Sequence, residues 1–168
     1  MLCPLNCGSL MAGIDAYLFY EAGQAVAAVH LGLKVRHVSG NPALQATDIV
    51  IPRGDVKSRM ILWLTGMAAE KKGVGKSDPL RRMRNRARVR TLIDSIMTDL
   101  TGPVAKRRSK ARQVLNQAQD RANAICAQLY AAIEALVLEL KRVGVVLGQK
   151  AMEIVAKVKH EQNKRQPR

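Results

Sequence analysis

Residues 14–32, IDAYLFYEAGQAVAAVHLG, restrict the fold more than any other segment. Their Ala, Leu, Glu and Gln content favours a helix, Asp15 stands in the first turn, and Gly32 supplies a stop signal. Apolar side chains cover most of the helix circumference instead of one stripe, which predicts a largely buried helix packed on several sides. The packing around it must be built with few rings, since Phe, Trp and Tyr together make up 3% of the chain against 48% apolar residues. A core of Ala, Val, Leu, Ile and Met suits packed helices better than a β-sandwich. A length of 168 residues fits one such domain with a tail and buries a sizeable core.

The rest of the chain continues this mostly α, α+β pattern. In residues 34–52, Val35 and Val38 precede the turn signal Gly40–Asn41–Pro42, and Ile49–Val50–Ile51 follow it, which predicts two short strands, a hairpin or small sheet after the first helix. Helical spacing returns over 56–72, where Met60, Trp63, Leu64, Met67 and Ala68 share a face. Ser77–Asp78–Pro79 reads as a helix start, with a capping side chain before a proline in the first turn. Residues 79–100 form the next helix, with an apolar face of Val89, Leu92, Ile93, Ile96 and Leu100, ended by Gly102–Pro103. Residues 109–143 read as one long helix, Gly144 and Gly148 frame a turn, and 149–159 form a short last helix. The expected organisation is a flexible extension over 1–12, one domain over 13–158 and a basic disordered tail over 159–168, with both Met1 and Met11 offering a start. Of the three cysteines, Cys3 and Cys7 form only a weak metal signature and Cys126 falls in an apolar helix pattern, so a reduced, cytoplasmic protein is expected. No run of 18 apolar residues exists, and no Lys or Arg precedes Lys34, so neither a transmembrane helix nor a targeting segment is expected.

Charge is placed unevenly. Residues 1–52 hold two basic and three acidic groups, 53–90 hold twelve and three, and 91–168 hold fourteen and seven, for a total of +15. Such a field attracts phosphates, acidic lipids or acidic proteins. Candidate polyanion contacts are Arg81, Arg82, Arg84, Arg86 and Arg88 on one helix and Lys106, Arg107 and Arg108 near the start of the next. Positive charge at a helix N-terminus opposes the helix dipole, which hints at an anion there. Phe19, Trp63, Tyr17, Tyr20 and Tyr130 all fall on apolar faces, so nucleic-acid contact would run through phosphates and not base stacking.

The sequence Tyr20–Glu21–Ala22–Gly23–Gln24–Ala25 stands at the centre of the buried helix. Zinc peptidases carry H-E-x-x-H on a helix, with two histidines one turn apart holding the metal and the glutamate taking a proton from the bound water. Here the glutamate and the spacing are in place, with Tyr20 and Gln24 at the histidine positions. The stretch YEAGQAVAAVHLGLKVRHVSG, the element Gly66–Met67–Ala68–Ala69–Glu70, and Gly75–Lys76–Ser77–Asp78 before an arginine-rich helix follow in the order and spacing of the FtsH-type zinc metallopeptidase domain. The chain therefore resembles that family from about residue 14 to about residue 100, and in general pattern to residue 158. The resemblance implies a zincin-like helical peptidase domain, Glu21 as general base, Tyr20, Gln24 and Asp78 as metal-ligand positions, zinc as cofactor if active, and the capacity for homo-oligomers. The family's membrane helices and ATP-driven ring module have no counterpart in the sequence.

Of the three ligand positions, only Asp78 is chemically suited to zinc. Gln24 offers a neutral amide oxygen, and Tyr20 a phenol with a free pKa of roughly 10. His30, ten residues beyond Tyr20, points about 80° off that face and lies about 15 Å along the axis. The expectation is a catalytically inactive pseudo-peptidase, without a cofactor, that binds a protein or peptide partner as a scaffold. Two alternatives remain: an active zinc peptidase with an unusual metal site, and an RNA- or polyanion-binding ribonucleoprotein component that reuses the fold. Glu21 also reads as a hydrogen-bonded structural residue, and Asp78 as a plain helix cap.

Overall fold

The computed structural model describes residues 7–41, 43, 47–76 and 78–165. Among these are six helices and a small sheet: α1 (Cys7–His30), β1 (Lys34–Ser39), β2 (Asp48–Val50), α2 (Val56–Val74), α3 (Pro79–Asp99), α4 (Val104–Gln128), α5 (Tyr130–Val143), β3 (Val145–Leu147) and α6 (Gly148–Arg165). The mostly helical α+β class is the expected one. Pro42, Ser77 and the ends of the expected extension and tail lie outside the described residues.

The first helix is buried as its composition requires. Ala22, Ala25, Val26, Ala27 and Ala28 have no solvent exposure. It starts earlier than expected, at Cys7, and ends where Gly32 turns to φ +72°. That left-handed turn lets Leu33 N–H reach Ala28 O at 2.9 Å and closes the helix. The closest packing is between α1 and α2, where small residues meet. A Cβ on Gly23 would stand 2.6 Å from Ala69 Cβ, and one on Gly66 would stand 2.8 Å from the Tyr20 ring. These two glycines let the helix axes approach and seat the ring between them.

Two expectations need correction. The expected single helix over 109–143 is two helices bent by 71° at Leu129. Neither Gly nor Pro marks the bend. Leu129 has φ −111° and ψ 20°, its N–H still bonds Ile125 O at 2.9 Å, and its side chain is buried. On the far side Leu129 O accepts from Ala132 N–H at 3.0 Å and Ile133 N–H at 3.1 Å, which starts α5 as it turns to bury Ile133, Leu136 and Leu140 in the core. No single helix among the described residues is long and apolar enough to cross a membrane. The second correction concerns the expected turn between Gly144 and Gly148, which holds a strand; the small sheet after the first helix is the expected one and has three antiparallel strands in the order β2-β1-β3. The expected hairpin is present, with a bulge between Val35 and His37. The third strand comes from the segment between Gly144 and Gly148, pairing Val146 with Val38. The last helix runs on to Arg165, past the expected tail boundary at 159.

Candidate functional site

The face of α1 that carries Tyr17, Tyr20, Glu21 and Gln24 meets α2 and the first two turns of α3. Asp78 N-caps α3, its carboxylate accepting from Arg81 N–H at 2.9 Å, with Pro79 just inside. That backbone N–H is the main reason the Asp78 carboxyl is held below its usual range. Asp78 N–H in turn donates to Glu70 Oε1 at 2.7 Å. Glu70 is fully buried on α2 and pairs with the Arg81 guanidinium at 3.0 Å. Burial pushes the Glu70 carboxyl up; Asp78 N–H and Arg81 pull it back toward the ionised form.

Arg81 closes the arrangement. Its guanidinium lies 5.4 Å from the Tyr17 ring centre and 5.3 Å from that of Tyr20, within cation–π range of both. One turn further along α3, the buried Asn85 accepts a 3.0 Å hydrogen bond from Tyr20 OH. Burial, reinforced by the nearby Glu21 carboxylate, raises the Tyr20 phenol well above the ordinary phenol range. Glu21 is also buried, and it accepts from the Thr47 and Tyr17 hydroxyls. Thr47 also accepts from Ser39 N–H at 3.0 Å, so Glu21 ties α1 to the end of β1. Gln24 is half-buried one turn beyond Tyr20.

Of the positions that the resemblance gives to metal ligands, Tyr20 and Asp78 are thus engaged with other partners. The phenol of Tyr20 donates to an amide, Asp78 caps a helix, and a fixed guanidinium sits over the two tyrosine rings. His30 is engaged on the α4 side, its Nε2 3.2 Å from Arg121. No group of three His, Cys, Asp or Glu side chains suited to a metal occurs among the described residues.

The basic residues divide in two. Arg81 and Arg107 turn inward: the Arg81 side chain is 18% exposed in its pair with Glu70, and Arg107 Nη1 donates to Met97 O near the end of α3 at 3.3 Å. Arg107 therefore serves a helix C-terminus, where its charge suits the dipole. Arg82, Arg84, Arg86, Arg88, Lys106 and Arg108 are exposed, with Arg88 lying 5.6 Å over the Trp63 ring. The sequence places Glu70 in the Gly66–Glu70 element without a role in the site, and assigns none to Asn85. The signal for Glu70 was its place on one helical stripe with Gly66 and Gly73, at steps of four and three. That for Asn85 was its position one turn from Arg81 and one turn from Val89.

Two expected results follow from this geometry. Tyr20→Phe leaves the Asn85 carbonyl, 1% exposed, without its donor, and costs about 1–3 kcal/mol in denaturant unfolding. Glu21→Gln alters the pH dependence of stability. Burial raises the Glu21 pKa in the fold, so the unfolded chain loses its proton first as pH rises, and the native state carries a penalty that is complete above the folded pKa. Removing the carboxyl therefore makes unfolding less sensitive to pH above the ordinary glutamate range, read from denaturant midpoints between about pH 4 and 8.

Compared with models of protein families and with curated proteins, the chain matches none.

Proposed function

We propose that this chain is a catalytically inactive, metallopeptidase-like domain of FtsH type that works as a protein-binding module, in the cytoplasm and without a cofactor. One observation carries the reading: the Arg81 guanidinium, fixed by Glu70, lies over the rings of Tyr17 and Tyr20 while Tyr20 OH and the Asp78 carboxylate are engaged elsewhere. The donor set does not fit zinc. A protonated phenol, an amide and one capping carboxylate are poor ligands for an ion that takes imidazole, thiolate or free carboxylate, and a neighbouring guanidinium repels a dication. Without an activated water, Glu21 has nothing to deprotonate, and its Thr47 and Tyr17 bonds give it a structural role. The test is casein cleavage by the purified chain with added zinc. No cleavage is expected; zinc-dependent cleavage abolished by Glu21→Gln would overturn the reading.

A further inference from the structure

The expected apolar face of α3 is covered for only part of its length. Val89 is buried, but Leu92, Ile93 and Ile96 are only half-buried. Beside them α2, α3 and α4 leave an open groove of about 970 Å³. Its floor is aliphatic, with Leu64 and Met67 from α2, Ile93 from α3 and Leu115 from α4. Its walls carry five cations, Lys71 and Lys72 on α2 and Arg82, Arg86 and Arg90 on α3, and no carboxylate lines it. Lys72 is held in place with its ammonium 4.0 Å from the Tyr130 ring centre.

We infer that this groove is the docking site of an acidic amphipathic helix from a partner protein, a conclusion that rests on the binding-module reading above. Such a helix lays its apolar stripe on the aliphatic floor and turns carboxylates to the cations of α2 and α3, while α4 contributes only the neutral Asn116, Gln119 and Asn123. The cations are distributed over two helices, so they match several separate charges along a ligand; a fatty acid, with one carboxylate, leaves most of them unpaired. RNA supplies several charges but nothing apolar for the floor, and no aromatic side chain lines the groove to stack a base. A second copy of this chain fits poorly, because 28 basic groups against 13 acidic ones set two copies in repulsion.

The experiment is fluorescence anisotropy with a fluorescein-labelled peptide of about 18 residues, five helical turns, carrying Leu on one face and Glu on the other. The comparison probes are the same residues scrambled to remove the stripe, and a single-stranded RNA of similar charge. The amphipathic peptide is expected to bind roughly tenfold tighter than either. Lys71→Glu/Arg86→Glu, both exposed positions, should weaken it by about tenfold or more, while Lys150→Glu on α6 leaves it unchanged; circular dichroism checks that each variant folds. Equal or tighter binding of the scrambled peptide or the RNA, no binding, or indifference to the charge reversal would each overturn the assignment. The same preparations are assayed for zinc and cleavage. A zinc-free, inactive protein that ignores the peptide defeats the groove alone, whereas an active zinc protein that binds it through Lys71 and Arg86 defeats the functional reading and leaves the groove standing.

Discussion

Replacing Glu70 with alanine is expected to destabilise the fold by about 3–5 kcal/mol, the usual result of removing one partner from a buried ion pair. Glu70 receives Asp78 N–H at 2.7 Å and Arg81 at 3.0 Å, and both contacts hold the start of α3 against α2. Its loss leaves a mostly buried guanidinium without a counter-charge and the backbone N–H of the capping Asp78 without its acceptor. Through Arg81 and Asn85 the damage extends to Tyr17 and Tyr20. Glu70→Gln keeps an acceptor for Asp78 N–H and removes only the charge, so its cost should be clearly smaller. Urea unfolding of the two variants beside the wild type reads the difference. Equal stability of all three would mean that α3 is anchored by some other contact.

The second large effect is expected at Gly148, where β3 passes into α6. A Cβ there would run into the Val35 carbonyl and approach Arg36 O to 3.2 Å. The obstacle is backbone, and it belongs to β1, the central strand, which is paired on both edges and anchored by the buried Val35 and Val38. It has no room to retreat. Gly148→Ala is expected to cost about 3 kcal/mol or more, which for a chain of this length lowers Tm by roughly 6–12 °C. Gly13→Ala supplies the contrast. Gly13 is exposed on α1 with nothing near its Cβ position, and alanine there should be neutral or stabilising by up to about 1 kcal/mol. Scanning calorimetry of the pair separates crowding from helix propensity.

These residues also show how far the sequence could be read. The buried first helix, the second helix and the Asp78–Pro79 start of α3 announced themselves through local patterns: apolar coverage, spacing of three and four, and a capping residue before proline. The corner at Leu129 did not, because the apolar run continues through it and only the packing of α5 onto the core selects a bend. β3 did not either, since three residues between two glycines are too few to show an alternation. Within the candidate site, Tyr20, Glu21, Gln24 and Asp78 were legible as positions in a motif. Their actual partners were not. Glu70 stands beside two lysines and reads locally as surface, and Arg81 reads as one more member of a basic run. Which arginine turns inward depends on the angle at which α3 crosses α2, a tertiary property absent from any short window.

In the function we propose, a fixed arginine and a tyrosine–asparagine bond stand where the resembled family keeps a metal. The most direct test is the zinc content of the purified chain, dialysed against excess zinc and then buffer, beside a Tyr20→His/Gln24→His variant. The expected result is no retained zinc in the wild type and measurable uptake by the variant, whose restored histidines stand one turn apart. Close to one zinc per wild-type chain would contradict the inactive, metal-free function proposed for it.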